Sequence, residues 1–283
     1  MKMQLENIQR QVSELFYHQF EKYTGGLNLS RPHIPLISEA YLKNRIVIIG
    51  QETNTWYRQG DDDLYNFYLQ NYDASNPYYG TEPYREFIRD SAGAYPGKFW
   101  EFAKKLYDKG LIEGPLQKDG FLGHCWINLF AVEAVPEKGS KVGCPTSNSK
   151  LAAEIAALQN HLLLDLFQIL KPKMIIALTG QSLDPMLFNK SLGLSWEGDM
   201  RWSPVDSAGV LECHELAEVA ILVKEHPLFG VKLVRAYHPS YFMGKINSSK
   251  KLSARLATVA DHVNPSQYYQ NTLSKWIDEK IQN

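Results

Sequence analysis

The chain has 283 residues, 44% hydrophobic and 22% charged, with a formal net charge of −1. That balance suits a globular protein with a sizeable core and argues against a broad, non-specific nucleic-acid coat, while leaving room for a local basic groove. The three cysteines, Cys125, Cys144 and Cys213, form no CxxC pair. This disfavours a zinc or iron–sulfur site built on cysteine pairs, and we expect no metal and no cofactor.

The first element is a helix over residues 4–23. Leu5, Ile8, Val12, Leu15, Phe16 and Phe20 recur at helical spacing, and Gly25-Gly26 stops the run. A proline-broken connector follows at Arg31 to Pro35, then a short helix from Glu39 to Asn44. Arg45 to Gly50 (RIVIIG) reads as a strand covered on both faces. Residues 53–97 form a long polar and aromatic insertion, with short helices expected at Asp63–Gln70 and Tyr84–Asp90. Lys98 to Lys109 is a helix with Phe99, Phe102, Ala103 and Leu106 on one face, closed by Gly110.

Gly123 to Val132 is the expected second strand. Ser149 is placed to cap one long helix that runs to Leu170 and is stopped by Pro172. Met174 to Thr179 is a third buried strand, after which Asp184-Pro185 provides an N-cap and first-turn pair for a short helix. Leu194 to Gly209 reads as irregular. Glu218–Lys224 and Val231–Tyr237 are two strands joined by a turn, and helices at Lys251–His262 and Gln267–Ile281 complete the chain. The order implies one domain over residues 1–283, a three-layer α/β/α with a central, mainly parallel four-stranded sheet.

Polar groups sit at three strand ends. Gly50-Gln51-Glu52 follows the first strand, where a glycine permits a sharp turn and a carboxylate can orient water; a plain turn with a solvated glutamate is the alternative. Asn128 lies in the otherwise apolar run Cys125 to Phe130. A buried amide must find partners, either by tying down a loop or by reading a base edge. His238-Pro239-Ser240 ends the strand that begins at Val231. In open parallel sheets the carboxyl ends of strands are where ligands bind, so we expect the three ends to meet in one pocket. His124, His214 and His226 lack metal-ligand spacing. No GxGxxG, GxxxxGK[ST] or GxSxG is present.

Taken in order, these pieces resemble the uracil-DNA glycosylase superfamily. Gly50-Gln51-Glu52 is similar to its Gly-Gln-Asp-Pro-Tyr-His motif, Trp126–Phe130 to its Leu-Leu-Leu-Asn strand, Lys171–Gly180 to its third strand, and His238-Pro239-Ser240 to its His-Pro-Ser motif. The resemblance implies a uracil-DNA glycosylase-like fold and hydrolysis of the N-glycosidic bond of a flipped base. It implies that Asn128 reads the base edge and that His238 donates to the carbonyl oxygen that becomes anionic. Glu52 would orient water, Gln51 would line the base, and Ser240 would belong to the binding turn. Phe242 would wedge into the DNA stack, with Lys245, Lys250 and Lys251 on phosphates. Trp56, Tyr57 and Phe67 are the candidates for the ring that stacks on the base.

Glu52 stands where the family has aspartate, and Thr53-Asn54 replace Pro-Tyr. The expected partner is DNA carrying a damaged or deaminated base. No protein partner is predicted. The alternative is a catalytically divergent protein that keeps the fold and binds a nucleobase or nucleic acid. The N-terminus has no apolar signal core, and no run approaches the roughly 18 apolar residues of a membrane span, so a cytoplasmic setting is expected.

Overall fold

The computed structural model describes residues 2–26, 28–51, 64–88, 97–114, 122–134, 149–195, 198–203, 208–243, 247–258 and 264–281. Its frame is a six-stranded mixed sheet with the order β2-β1-β3-β6-β5-β4. The strands are β1 (Ile46–Gly50), β2 (Cys125–Asn128), β3 (Met174–Ala177), β4 (Met200–Ser203), β5 (Ala217–Leu222) and β6 (Lys232–Ala236). β2, β1, β3 and β6 run parallel, while β5 and β4 extend the sheet antiparallel. The expected four-stranded sheet is therefore the parallel part of a larger one.

Alternation along β1 explains the layering. Val47 and Ile49 enter one core cluster, and Ile46 and Ile48 the other. On the first face pack α1 (Lys2–Phe20), α2 (Glu39–Asn44), α3 (Leu64–Gln70), α6 (Ser149–Leu158) and α7 (Leu162–Leu170). On the second pack α4 (Glu82–Phe87), α5 (Lys98–Asp108), α8 (Cys213–Leu216), α9 (Asn247–Leu256) and α10 (Pro265–Ile281). All five residues of β1 are buried, as a strand covered on both faces requires. Among the described residues no helix is long and apolar enough to cross a membrane.

Three departures from the sequence expectations have physical causes. The single helix from Ser149 to Leu170 is two helices, broken around His161, whose φ is +64°. At the break the buried Gln159 reaches across to the exit of β2. Its Nε2 donates to the Leu129 carbonyl (3.2 Å) and its Oε1 accepts from the Ala131 amide (2.6 Å). β2 itself stops at Asn128, because beyond it two consecutive amides turn to the end of β1 and break the alternation of a parallel ladder. Leu129 and Phe130 donate to the Gly50 and Gln51 carbonyls, and Ala131 accepts from His33. Asp184 makes no side-chain cap to the π-helix Pro185–Ser191; it lies 3.3 Å from the guanidinium of the buried Arg235.

Candidate functional site at the strand ends

The parallel register sets the site. Gly50 lies opposite Asn128, and Ile49 is level with Ala177, which is level with Arg235. The next residues on each strand therefore emerge at one edge: Asn128 on β2, Gly50-Gln51 on β1, Thr179-Gly180 on β3, and Tyr237-His238 on β6. The edge is tied across. The Gln51 side chain donates to the Thr179 carbonyl (3.0 Å), and the Gly180 amide to the Ala236 carbonyl (2.9 Å). From β2 to β6 there are three strand spacings of about 4.8 Å each, about 14 Å in all.

Asn128 is 3% exposed and its amide orientation is fixed chemically. Trp126, two residues earlier and so on the same face of β2, donates its indole Nε1 to Asn128 Oδ1 (3.2 Å). An indole nitrogen can only donate, so the carboxamide oxygen must face it. That leaves Nδ2 buried with no hydrogen-bond partner among the described residues. Such a group costs on the order of 1–3 kcal/mol, and most buried polar atoms avoid it. A Cβ at Gly50 would stand 2.5 Å from Asn128 Oδ1, so only glycine lets β1 pass under the amide. The same missing Cβ would lie 3.6 Å from the Phe99 ring and 3.5 Å from the Trp126 indole nitrogen. Gly50, Asn128, Trp126 and Phe99 are thus gathered at one point.

At the β6 end, the chain leaves Tyr237 held by Tyr269 of α10. The Tyr237 amide donates to the Tyr269 hydroxyl (2.9 Å). His238 is half-buried, and its Nδ1 accepts from the Ser240 amide (3.2 Å), with the Ser240 hydroxyl 2.6 Å away. A backbone N–H can only donate, so the imidazole proton sits on Nε2. Burial lowers the His238 pKa to about 4, so the ring is neutral near pH 7. It is a neutral donor with a fixed tautomer. Thr179 carries a second such buried atom at this edge, Oγ1, with no hydrogen-bond partner among the described residues.

The structure brings Gln51, Asn128, His238 and Ser240 to the same sheet edge. Glu52 lies outside the described residues, as do Trp56, Tyr57 and Lys245. Phe242 is a correction. It is 1% exposed and its ring packs on Tyr237, Tyr241 and Tyr269, so it is a core residue and offers no edge to a DNA stack. Phe67 is 64% exposed on α3, while Phe99 is the ring against Gly50. Lys250 and Lys251 are exposed on α9.

Two residues at this edge, Trp126 and Phe99, are additional to those the sequence pointed to. Trp126 was detectable from its i, i+2 spacing to Asn128; Phe99 was not, because only tertiary packing brings α5 to Gly50. His124 is buried with its Nδ1 2.9 Å from the Tyr107 hydroxyl. Among the described residues no cluster of His, Cys, Asp or Glu could hold a metal ion. The chain matches no family model, and no curated protein or solved structure is significantly similar to it.

Proposed function

We propose that the chain is a DNA base-excision glycosylase that hydrolyses the N-glycosidic bond of uracil or another deaminated or damaged base, as a divergent relative of the uracil-DNA glycosylases. The observation that carries this reading is the amide of Asn128, buried, oriented by Trp126 and left with an unused Nδ2 at the carboxyl edge of a parallel sheet. With one Oδ1 lone pair taken by the indole, the amide still offers two N–H donors and one acceptor site. That set fits the adjacent carbonyl and N–H of a planar pyrimidinone edge. By strand spacing the two ends stand about 14 Å apart, so a base held between them would be reached from both sides.

The chemistry follows from charge. As the C1′–N bond breaks, the bond's electrons move onto the base and its carbonyl oxygen becomes anionic. Nε2–H of neutral His238 donates to that oxygen, and a preorganised donor of this kind contributes a factor of about 10²–10³. Glu52, next in sequence to Gln51, orients the water whose oxygen bonds to C1′. The water's proton passes by way of the carboxylate to solvent and the departing base anion takes one from solvent, so H and OH are added across the C1′–N bond. The carboxylate also steadies the positive sugar.

The test is incubation of the protein with single- and double-stranded DNA containing uracil, hypoxanthine or xanthine. Cleavage of at least one is expected, lowered by about 10²–10³ in Glu52→Gln and His238→Ala. Folded protein that leaves all of them intact sinks the proposal.

A second reading is supported by the burial of Phe242, which removes the expected wedge. In it the same edge binds a nucleobase or nucleotide without breaking a bond. The two separate on salt. A phosphate-gripping enzyme loses DNA affinity steeply as salt rises, whereas a small-ligand protein shows no DNA binding even at low salt.

A further inference from the structure

Behind the His238-Pro239-Ser240 turn, α5 and α10 enclose a groove of about 400 Å³. Lys98, Lys104 and Lys105 line its α5 side, and Asn264, Gln267 and Gln270 its α10 side. Glu101 and Asp108 also reach it, and Lys98 is already bonded to Glu101 at 2.6 Å. Lys104, Lys105 and Asp108 make no ion pair among the described residues, so with Lys98 and Glu101 cancelling each other the groove keeps a net charge of +1. The two lysines face the first turns of a 17-residue helix, whose start is marked by Asn264 Oδ1 accepting from the Gln267 amide (3.2 Å). A net positive charge and a helix amino end both favour an anion.

The floor of the groove asks for something else. Gln270 is 1% exposed and its Oε1 has no hydrogen-bond partner among the described residues. Its orientation is determined by its neighbour. The Ser266 hydroxyl donates to the Pro239 carbonyl (2.7 Å), so Ser266 Oγ can only accept from Gln270, and Nε2 must point to it (3.3 Å). The carboxamide oxygen is left as a bare acceptor. An anion alone would be repelled by it; a hydroxyl would satisfy it.

We propose that this groove binds a phosphorylated sugar, with the phosphate on Lys104 and Lys105 and a sugar hydroxyl donating to Gln270 Oε1. The chemistry is that of a ribose phosphate, either free or as a unit of an RNA chain. The groove reaches the His238-Pro239-Ser240 turn through Ser266, but the proposal rests on Gln270 and the two lysines and stands whether or not the glycosylase reading does.

The experiment is calorimetric titration of the whole chain, without DNA, using ribose 5-phosphate, inorganic phosphate, an alkyl phosphate lacking hydroxyls, and a short oligoribonucleotide. Ribose 5-phosphate is expected to bind saturably, about tenfold tighter than either hydroxyl-free phosphate. The exposed double change Lys104→Glu/Lys105→Glu should weaken every phosphate ligand by about tenfold or more. Gln270→Leu should bring ribose 5-phosphate down to the level of the alkyl phosphate; if that variant does not fold, the comparison of the two ligands on the native chain makes the same test. Tight binding of the oligoribonucleotide with weak binding of the free sugar phosphate assigns the site to RNA, and the reverse order to a free metabolite. Absence of saturable binding by all four, or equal binding of ribose 5-phosphate and the alkyl phosphate, overturns the proposal.

Discussion

At the scale of single residues, the site depends on what Gly50 lacks. An alanine there would put a methyl 2.5 Å from Asn128 Oδ1, well inside any real carbon–oxygen contact. The amide would have to swing away and give up the Trp126 indole. Gly50→Ala should therefore cost about 1–3 kcal/mol of stability, as overpacking does, and should weaken ligand binding by at least as much as Asn128→Ala. Denaturant melts and binding titrations check both parts; a variant with native stability and native affinity would mean that the amide is not fixed. Phe242 allows the opposite kind of test. A wedge would be exposed, and its loss would spare the fold while reducing DNA affinity. Because the ring is buried among tyrosines, Phe242→Ala should instead destabilise the protein by about 3–5 kcal/mol, read as a drop in the urea midpoint.

At the scale of elements, the least expected feature is the buried charge beside β6. Arg235 is paired across to Glu218 on β5, lies against Asp184 after β3, and stacks its guanidinium over Trp202 of β4 (4.8 Å). One cation thus joins β6 to the antiparallel extension. Burial raises the Asp184 carboxyl to about 6 against the pull of Arg235, which shows how costly the desolvation is. Arg235→Met should destabilise by about 3–5 kcal/mol, because two carboxylates lose their counter-charge together. Replacing Asp184 and Glu218 with apolar residues in the same variant should recover most of that loss in a thermal melt.

This extension also marks where the sequence stops being legible. β1, β3 and β6 stand out because they are short apolar runs closed by Gly or His-Pro, and the edge carrying Asn128 and His238 follows from them. β4 does not stand out. Met200 is its one buried residue, and Trp202 covers Arg235, a contact made across the sheet. The break between α6 and α7 was hidden for the same reason. Nothing local in Gln159-Asn160-His161 predicts that Gln159 will clamp a loop 28 residues earlier in the chain. The sequence carries what short-range pattern determines, and the partner of a long polar side chain is not short-range.

At the scale of the whole molecule, the buried histidines determine how the fold meets acid. His33 and His124 lie on either side of the aromatic cluster around Trp126 and Trp100, and burial pulls both pKa values from 6.5 to about 3. Between those values the unfolded chain holds protons that the folded chain refuses. Stability therefore falls as pH drops below 6.5 and is unaffected by these groups above it. Each contributes a slope of about 1.4 kcal/mol per pH unit, or about 2 kcal/mol between pH 6.5 and 5. His238, lowered to about 4, acts in the same direction, yet its ring stays neutral well below the pH at which the core begins to weaken. Loss of function in acid should accordingly follow unfolding and not protonation of the donor. The urea midpoint should fall steadily from pH 6.5 to 5, and His33→Phe, which keeps a ring against Trp126 and Tyr84, should flatten that fall by about one proton's worth. A midpoint that stays level over that range would show that these imidazoles accept protons inside the folded chain.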